Sequence, residues 1–320
     1  QGLYPLEYPN ANQVGGLIGA LENKKLSWEK SGNLNVGIEA SMFDGRLNVS
    51  AEYYNRKTTD MLLEYPKATS SGFSEYNANI GSMRNTGFEF SLGGSLIKTT
   101  DFIWNLTWMG STVTNKVLKL TGESPEIIKG VFSIKEGMPI NTYYMAKSAG
   151  VDPATGAQLY WVYDKDDNGN ITNEYISSDY QKAANSKYYS GSRIPDLYGS
   201  INTDFSYKNF DFSMVMQGVA GNQIVNRKRG DRRWHSELNY DLDQFENRWT
   251  GEGSTNEYMS AKGSVKPWNI SNFNSFYVED GSYFRIQNVQ VAYTFPKKDF
   301  GKFKMPSIRL SLTADRPLTV

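Results

Sequence analysis

Apolar and polar residues alternate with a period of two along several stretches of this chain. In the first clear stretch, one side of an extended backbone carries Val36, Ile38, Ala40 and Met42. Residues 47–54 repeat the pattern, and the Asp44-Gly45 pair between the two stretches is typical of a tight hairpin turn. This period predicts β-strands that each have one apolar and one polar face.

The same period recurs further along the chain and predicts about eight strands. Each is roughly the 9–11 residues that a strand needs to cross a bilayer at a tilt. The later stretches include 88–92, 102–108, 197–207, 210–218, 283–295 and 308–314. Short turns alternate with long connections of about 30, 80 and 60 residues. This alternation of short and long connections predicts an all-β fold, a transmembrane antiparallel up-and-down β-barrel with short periplasmic turns and long extracellular loops.

The polar face of the predicted sheet distinguishes a membrane barrel from a soluble sandwich. Glu39, Glu52 and Glu89 lie in mid-strand beside Asn, Ser, Thr and Gly, which suits a wide hydrated lumen. A soluble or surface-anchored glycan-binding β module is the alternative, although sandwich loops are rarely this long. Eight strands in an open sheet would leave two unpaired edges in lipid, so closure needs further strands.

Composition narrows the function classes only modestly. The 320 residues include 34 Lys+Arg and 34 Asp+Glu, and this balance argues against a nucleic-acid partner. Aromatic residues make up 14% of the chain, which favours β structure. Cysteine is absent, and no run of about 18 apolar residues predicts a membrane helix. Both ends interrupt the pattern, so we expect the chain to be part of something larger.

Four motifs, spread from Leu26 to Pro296, resemble those of the SusC-like TonB-dependent outer-membrane transporters. LSWEK at 26–30 resembles the family's LxWE, and YYNRKTTDML at 53–62 resembles YYxxxTxDxL. NIGSMRNTGFE at 79–89 is similar to NIGxxxNxGxE, and DGSYFRIQNV at 280–289 is similar to DGSYLRLKNV. Their order along nearly the whole chain makes the resemblance specific.

The resemblance implies that residues 1–320 are the C-terminal portion of a 22-stranded barrel. The family's plug domain and final closing strand are not in this chain. The implied function is TonB-dependent active import of an oligomeric nutrient, a glycan or an oligopeptide, across the bacterial outer membrane. The implied partners are a SusD-like lipoprotein lid, the TonB complex acting through the missing plug region, the lipid bilayer and lipopolysaccharide.

An Asp-rich stretch at 164–172 resembles the first half of a calcium-binding loop. Asp164, Asp166 and Asn168 place oxygens at alternate positions, and Gly169 permits a sharp turn. The twelfth position is Tyr175 rather than a bidentate glutamate. A structural Ca²⁺ or Mg²⁺ in an external loop is one interpretation, and a polar Asx-rich turn without metal is the other. No cofactor is otherwise required.

Trp234, Trp249 and Trp268 fall in one long predicted loop. Flat aromatic faces stack on sugar rings or peptide side chains, so these are the candidate substrate contacts, with loop packing as the alternative. The basic run at 227–233 lies in the same loop. It could bind an anionic substrate or lipopolysaccharide phosphates, or it could simply pair with nearby acids.

Catalysis finds little support in the sequence. The chain has one histidine and no cysteine, so a Ser-His-Asp arrangement could use only His235, within a charged loop. No carboxylate pair stands out as the general acid and base of a glycoside hydrolase. We therefore expect no enzymatic activity.

Overall fold

The computed structural model describes residues 8–10, 13–15, 21–121, 125–166, 170–226, 241–255, 257–261, 274–300 and 303–320. Only the backbone is described at 8–10, 13–15, 299–300, 303–304 and Thr69. The helices in these ranges are short, Tyr180–Asn185 and Leu242–Glu246, with single 3-10 turns at Thr69–Ser71 and Ser275–Tyr277. None of them is long and apolar enough to cross a membrane.

Strands dominate the fold. In chain order they are β1 (Tyr8–Asn10), β2 (Gln13–Gly15), β3 (Lys30–Met42), β4 (Leu47–Pro66), β5 (Glu75–Lys98), β6 (Phe102–Thr112), β7 (Thr114–Leu120), β8 (Glu126–Lys129), β9 (Phe132–Lys135), β10 (Thr142–Met145) and β11 (Lys147–Val151). They continue as β12 (Gln158–Lys165), β13 (Ile171–Ser177), β14 (Tyr188–Gly191), β15 (Leu197–Tyr207), β16 (Phe210–Ala220), β17 (Gln223–Val225), β18 (Val278–Asp280), β19 (Tyr283–Phe295), β20 (Lys298–Phe300), β21 (Phe303–Met305) and β22 (Ile308–Thr319).

The principal sheet is antiparallel and follows the order β22-β19-β16-β15-β6-β5-β4-β3, with β7 pairing β5 beyond the end of β6. The eight strands of this path are those that the alternating pattern predicts. Their connections at one end are tight, as at Phe43–Arg46 and at Lys208-Asn209. The sheet is not closed, and β3 and β22 form its two edges.

Cross-strand register places the apolar residues of neighbouring strands on one shared face. Ile38 pairs with Ala51, which pairs with Phe90, and Phe205 pairs with Phe212. The described residues leave this apolar face open, since Ile38 is 72% and Leu312 is 77% exposed. A row of large apolar side chains left open in this way is a surface suited to hydrocarbon rather than water.

The expected connection of about 30 residues between the second and third strands is wrong. β4 and β5 continue as a 20-residue and a 24-residue strand, and the link between them is residues 67–74. Residues 55–60 are polar at every position, so the period-two signal ends there while backbone pairing continues through bulges after Thr58. Three of the eight strands, β6, β15 and β16, have 11 residues and fit the expected 9–11, whereas the other five have 12 to 24 residues and exceed it.

The long connection between β6 and β15 folds into structure of its own. It forms a four-stranded sheet, β14-β10-β9-β8, which we call the loop sheet, and a three-stranded sheet, β11-β12-β13. Most of the buried side chains in the described ranges lie here and on the extended ends of β4, β5 and β7. Val117, Ile127 and Ile134 belong to the largest such cluster.

Candidate functional site

The polar face of the principal sheet is a concave wall with a recess of about 670 Å³. Carboxylates Glu39, Glu52 and Glu89 line it on three adjacent strands, and Glu52 lies directly opposite Glu89. Serine side chains, Gln217, Met109 and two tyrosines, Tyr198 and Tyr283, complete the lining. The prediction from the sequence that this face is polar therefore agrees with the structure.

Hydrogen bonds tie the polar wall together near the tight turns. The Asn105 amide donates to Asp204 on the neighbouring strand at 2.8 Å, and Ser95 donates to Asn105 at 2.7 Å. Arg309 reaches across β19 to Asp211, and Ala292 beneath it is 1% exposed. Such polar pairs across neighbouring strands stabilise the sheet.

Three of the sequence motifs meet at one joint, which sequence reasoning did not predict. The Asn79 side chain accepts from the Ser27 amide at 2.8 Å and donates to the carbonyls of Ser27 and Asp60. Glu29 accepts from the Leu62 amide at 2.7 Å. Asp60 has a φ of 56°, beside the bulge in β4, so these bonds hold a backbone conformation that is otherwise unfavourable.

Close approach explains the motif glycine at position 87. The Tyr54 ring lies against Gly87, and its hydroxyl donates to the Thr112 carbonyl at 3.0 Å. A Cβ at Gly87 would collide with that carbonyl and with the tyrosine. The requirement for glycine is one of space and not of backbone conformation, because Gly87 does not have a positive φ.

The Asp-Gly-Ser motif turns the chain into β19. Asp280 accepts from the Ser282 amide at 2.9 Å, and hydrogen bonds from the Ser282 side chain and amide hold the pKa of the Asp280 carboxyl below the usual range. A Cβ at Gly281 would collide with the side-chain nitrogen of Asn222, so a larger residue there would require that side chain to shift. Further along, a register shift between Ile286 and Asn288 makes Gln287 the extra residue of a bulge, which moves the apolar face from even to odd positions.

Trp249 is the one candidate substrate contact within the described ranges. It is 8% exposed, packs with Val151 and Met259, and donates from Nε1 to the Pro153 carbonyl at 2.8 Å. Its ring lies over Gly156. This placement fits the loop-packing alternative, because little of the ring is available for a ligand. Trp234 and Trp268 lie outside the described residues, as do the basic run and His235.

Hydrogen bonds join the described residues on the two sides of the Asp-rich stretch. Asp166 accepts from the Asn170 amide at 2.8 Å and from its side chain at 3.0 Å, and Asp164 accepts from Asn173 at 3.3 Å. Asn168 lies outside the described residues. Among the residues that are described, no cluster of three or more His, Cys, Asp or Glu side chains is placed to hold a metal ion.

The loop sheet carries a connected set of polar and aromatic side chains. Lys135 donates to the Tyr189 hydroxyl at 2.7 Å, and that hydroxyl donates to Glu126 at 3.0 Å. Burial, together with the charge and hydrogen bond of Glu126, raises the pKa of Tyr189 to about 12. Tyr189 therefore stays protonated at physiological pH. Its ring lies 4.8 Å from that of Tyr144.

Comparison with known proteins defines the class to which this wall and its loops belong. The family model described as "TonB dependent receptor-like, beta-barrel" matches residues 2–315. The chain therefore belongs to the TonB-dependent receptor β-barrel family, and the fold predicted from the sequence is confirmed. In such a barrel the apolar face is the outer, lipid-facing side and the polar face lines the lumen.

Particular relatives place it more closely. The chain is similar to TonB-dependent receptor P26 of Formosa agariphila, with 30% identity over 94% of this chain and 31% of the relative. It is also similar to TonB-dependent receptor SusC of Bacteroides thetaiotaomicron, with 26% identity over 85% of this chain and 27% of SusC. The resemblance to SusC-like transporters that the motifs indicate is thus confirmed.

Solved structures agree with this placement. The RagAB peptide transporter matches with a TM-score of 0.82 and 26% identity, over 100% of this chain and 35% of that one. The RagAB peptide importer in its 'closed-closed' state matches with a TM-score of 0.81 and 27% identity. The chain spans about a third of the length of these relatives. Their family is one of transporters and receptors rather than enzymes.

Proposed function

We propose that this chain forms part of the wall, the lumen lining and several external loops of an outer-membrane importer of oligomeric nutrients. A SusD-like lipoprotein would cover the barrel as a lid, and the TonB complex would act through a plug domain. The observation that carries the proposal is the two-faced antiparallel sheet, whose apolar face is open and whose polar face encloses a wide recess.

The cargo class that we favour is an oligopeptide. Support comes from the RagAB structures, which are named as a peptide transporter and importer and match over the whole of this chain. The lumen wall is also suited to peptides, because carboxylates, amides and hydroxyls alternate on it with tyrosine rings. A glycan is the alternative cargo, since the same polar and aromatic groups bind sugars.

Ligand that co-purifies with the intact transporter tests the cargo class. The full-length protein would be isolated with its lipoprotein from native membranes, and the bound molecules identified by mass spectrometry. We expect a set of peptide masses. Oligosaccharide masses would replace the peptide proposal by the glycan alternative, and a transporter that binds neither class would contradict import of an oligomer.

Spin labels test the membrane placement by comparing neighbouring positions on one strand. Labels at Phe90 and Phe212 lie on the apolar face, while labels at Ser91 and Ser213 lie on the polar face. We expect lipid-dissolved oxygen to relax the first pair and an aqueous quencher to reach the second pair. The reverse result, with Phe90 and Phe212 open to the aqueous quencher and shielded from oxygen, would contradict the proposal.

A further inference from the structure

The position of the loop sheet relative to the barrel wall determines where its two faces point. Asn85 and Arg56 pair across β4 and β5 on the same face as the lumen-lining Glu52 and Glu89, because all four positions keep the period of two. Asn115 on β7 bonds to Asn85 at 2.6 Å and so lies on that inner side. The ends of these strands therefore present an inner side above the lumen.

The loop sheet packs against this inner side. The Asn115 side chain accepts from the Ile140 amide at 2.7 Å, and Val117, which shares its face, belongs to one buried cluster with Ile127 and Ile134. Ile127 and Ile134 pair across β8 and β9 and point the same way. The opposite face of the loop sheet is therefore turned away from the wall, towards the space over the barrel mouth.

That opposite face carries two lysines and two tyrosines, which we call the mouth patch: Lys135, Tyr144, Lys187 and Tyr189. Its residues are partly exposed. Lys135 lies 4.6 Å from the centre of the Tyr189 ring, and Lys187 lies 5.9 Å from the centre of the Tyr144 ring. Among the described residues that these contacts connect, Lys135 and Lys187 carry ammonium groups and Glu126 carries a carboxylate, so together they have a net positive charge.

The groups of the mouth patch differ in how far the protein already satisfies them. Glu126 accepts from both Ser133 and Tyr189, and Lys135 donates to Tyr189. Within the described ranges, neither the Tyr144 hydroxyl nor the Lys187 ammonium makes a hydrogen bond or an ion pair. Both are donors, so the unused capacity of the patch suits an acceptor with negative charge.

We propose that the mouth patch binds acidic side chains of an oligopeptide cargo, with the carboxylate held by Lys187 and the Tyr144 hydroxyl. The aromatic rings contact the aliphatic part of the same side chain, and Lys135 adds long-range attraction. This inference rests on the proposed function, because it assumes a peptide cargo. It adds a charge preference at the barrel mouth to an otherwise general importer.

The test compares two capped peptides that differ only in charge, one containing glutamates and the other glutamines at the same positions. Their affinities are measured by calorimetry on the full-length transporter with its lipoprotein lid, at low and at moderate salt. For the native protein we expect the glutamate peptide to bind about tenfold more tightly, as one charge-assisted hydrogen bond would give. Salt should reduce this difference.

Lys187→Gln is the informative variant, because Lys187 takes no part in the hydrogen-bond network below it. We expect it to remove most of the preference for the glutamate peptide and to leave the affinity for the glutamine peptide unchanged. Tyr144→Phe should reduce the preference in part. Lys182→Gln is the matched control: Lys182 lies 5.9 Å from the Tyr175 ring, the same kind of contact outside the patch, and should change nothing.

The outcomes separate this inference from the proposed function. Equal affinity of the native protein for both peptides, or an unchanged preference in Lys187→Gln, would overturn the mouth patch while leaving peptide import intact. Binding of neither peptide would overturn the cargo proposal and the inference with it. A third measurement uses an oligouronate, an acidic sugar. If the oligouronate binds in a Lys187-dependent way and neither peptide binds, the assignment of a peptide cargo is overturned.

Discussion

Replacement of Gly87 by alanine is the sharpest test of how the sequence motifs act on the barrel wall. A methyl group there would lie 2.6 Å from the Tyr54 hydroxyl and 2.8 Å from its ring, and it would also collide with the Thr112 carbonyl. The carbonyl belongs to backbone that is already paired in the sheet. The tyrosine must therefore move and give up its 3.0 Å hydrogen bond to Thr112.

The magnitude follows from these two effects. Overpacking of a well-packed site costs about 1–3 kcal/mol, and loss of a hydrogen bond costs about 0.5–1.5 kcal/mol. We expect Gly87→Ala to lower the free energy of unfolding by about 2–4 kcal/mol. Tyr54→Phe, which removes only the hydroxyl, should cost about 1 kcal/mol.

The assay is guanidinium unfolding of the full-length transporter in detergent. The folded fraction is measured from the heat-dependent electrophoretic shift of the folded barrel. Gly32→Ala is the matched control, because Gly32 also lies within a strand and no atom lies within 4 Å of the position that its added methyl group would take. The control should stay within about 0.5 kcal/mol of the native protein. Equal stability of Gly87→Ala and Gly32→Ala would refute the close-approach explanation.

Four further outcomes are expected. Asn79→Ala should lower the free energy of unfolding by about 1–3 kcal/mol, because it leaves two backbone carbonyls and one amide without their partner; denaturant unfolding measures this, and an unchanged midpoint would contradict it. Lys129→Met should cost less than about 1 kcal/mol and only at low salt, since its bridges to two glutamates are exposed; limited proteolysis of the loop at two ionic strengths checks it. The pKa of Tyr189 is raised from 10.0 to about 12, so the stability that its protonated form contributes is complete below pH 10 and declines between pH 10 and pH 12. Glu126→Gln should lower the pKa of Tyr189, which is measured by tyrosinate absorbance with Tyr189→Phe as the reference protein. If the Asp-rich stretch holds a metal, Asp166→Ala should reduce the metal content of the purified transporter. Equal metal content in the native protein and the variant would contradict the metal interpretation.

The alternating pattern was sufficient for the architecture because a barrel wall has only two environments. A side chain on a membrane-spanning strand contacts either hydrocarbon or the lumen, so the period of two is nearly unbroken in segments such as 36–42 and 210–216. The alternation of short and long connections then indicated that neighbouring strands run antiparallel. The motifs added the family, which neither composition nor charge could indicate.

Other features followed from contacts between distant segments and had no local signal. Residues 55–58 carry no alternation, yet they pair with both neighbouring strands because the strands on either side hold them together. The bulge at Gln287 is visible only as a change from even to odd apolar positions, which is easily missed in one strand. Tryptophan is a residue type that often contacts ligands, but Trp249 is buried against Pro153 and Gly156, which lie nearly a hundred positions away in the chain.

The order of residues was thus enough to specify the two-faced strands, their antiparallel arrangement and the family of the chain, since each follows from local periodicity or from contiguous motifs. Three features emerged only in the folded chain: the meeting of three motifs at Asn79, the length of the β4–β5 hairpin and the direction of the loop sheet. The physical reason is that polar groups in one segment form their hydrogen bonds with segments far away in the chain. No short stretch of sequence indicates which distant segment will supply the partner.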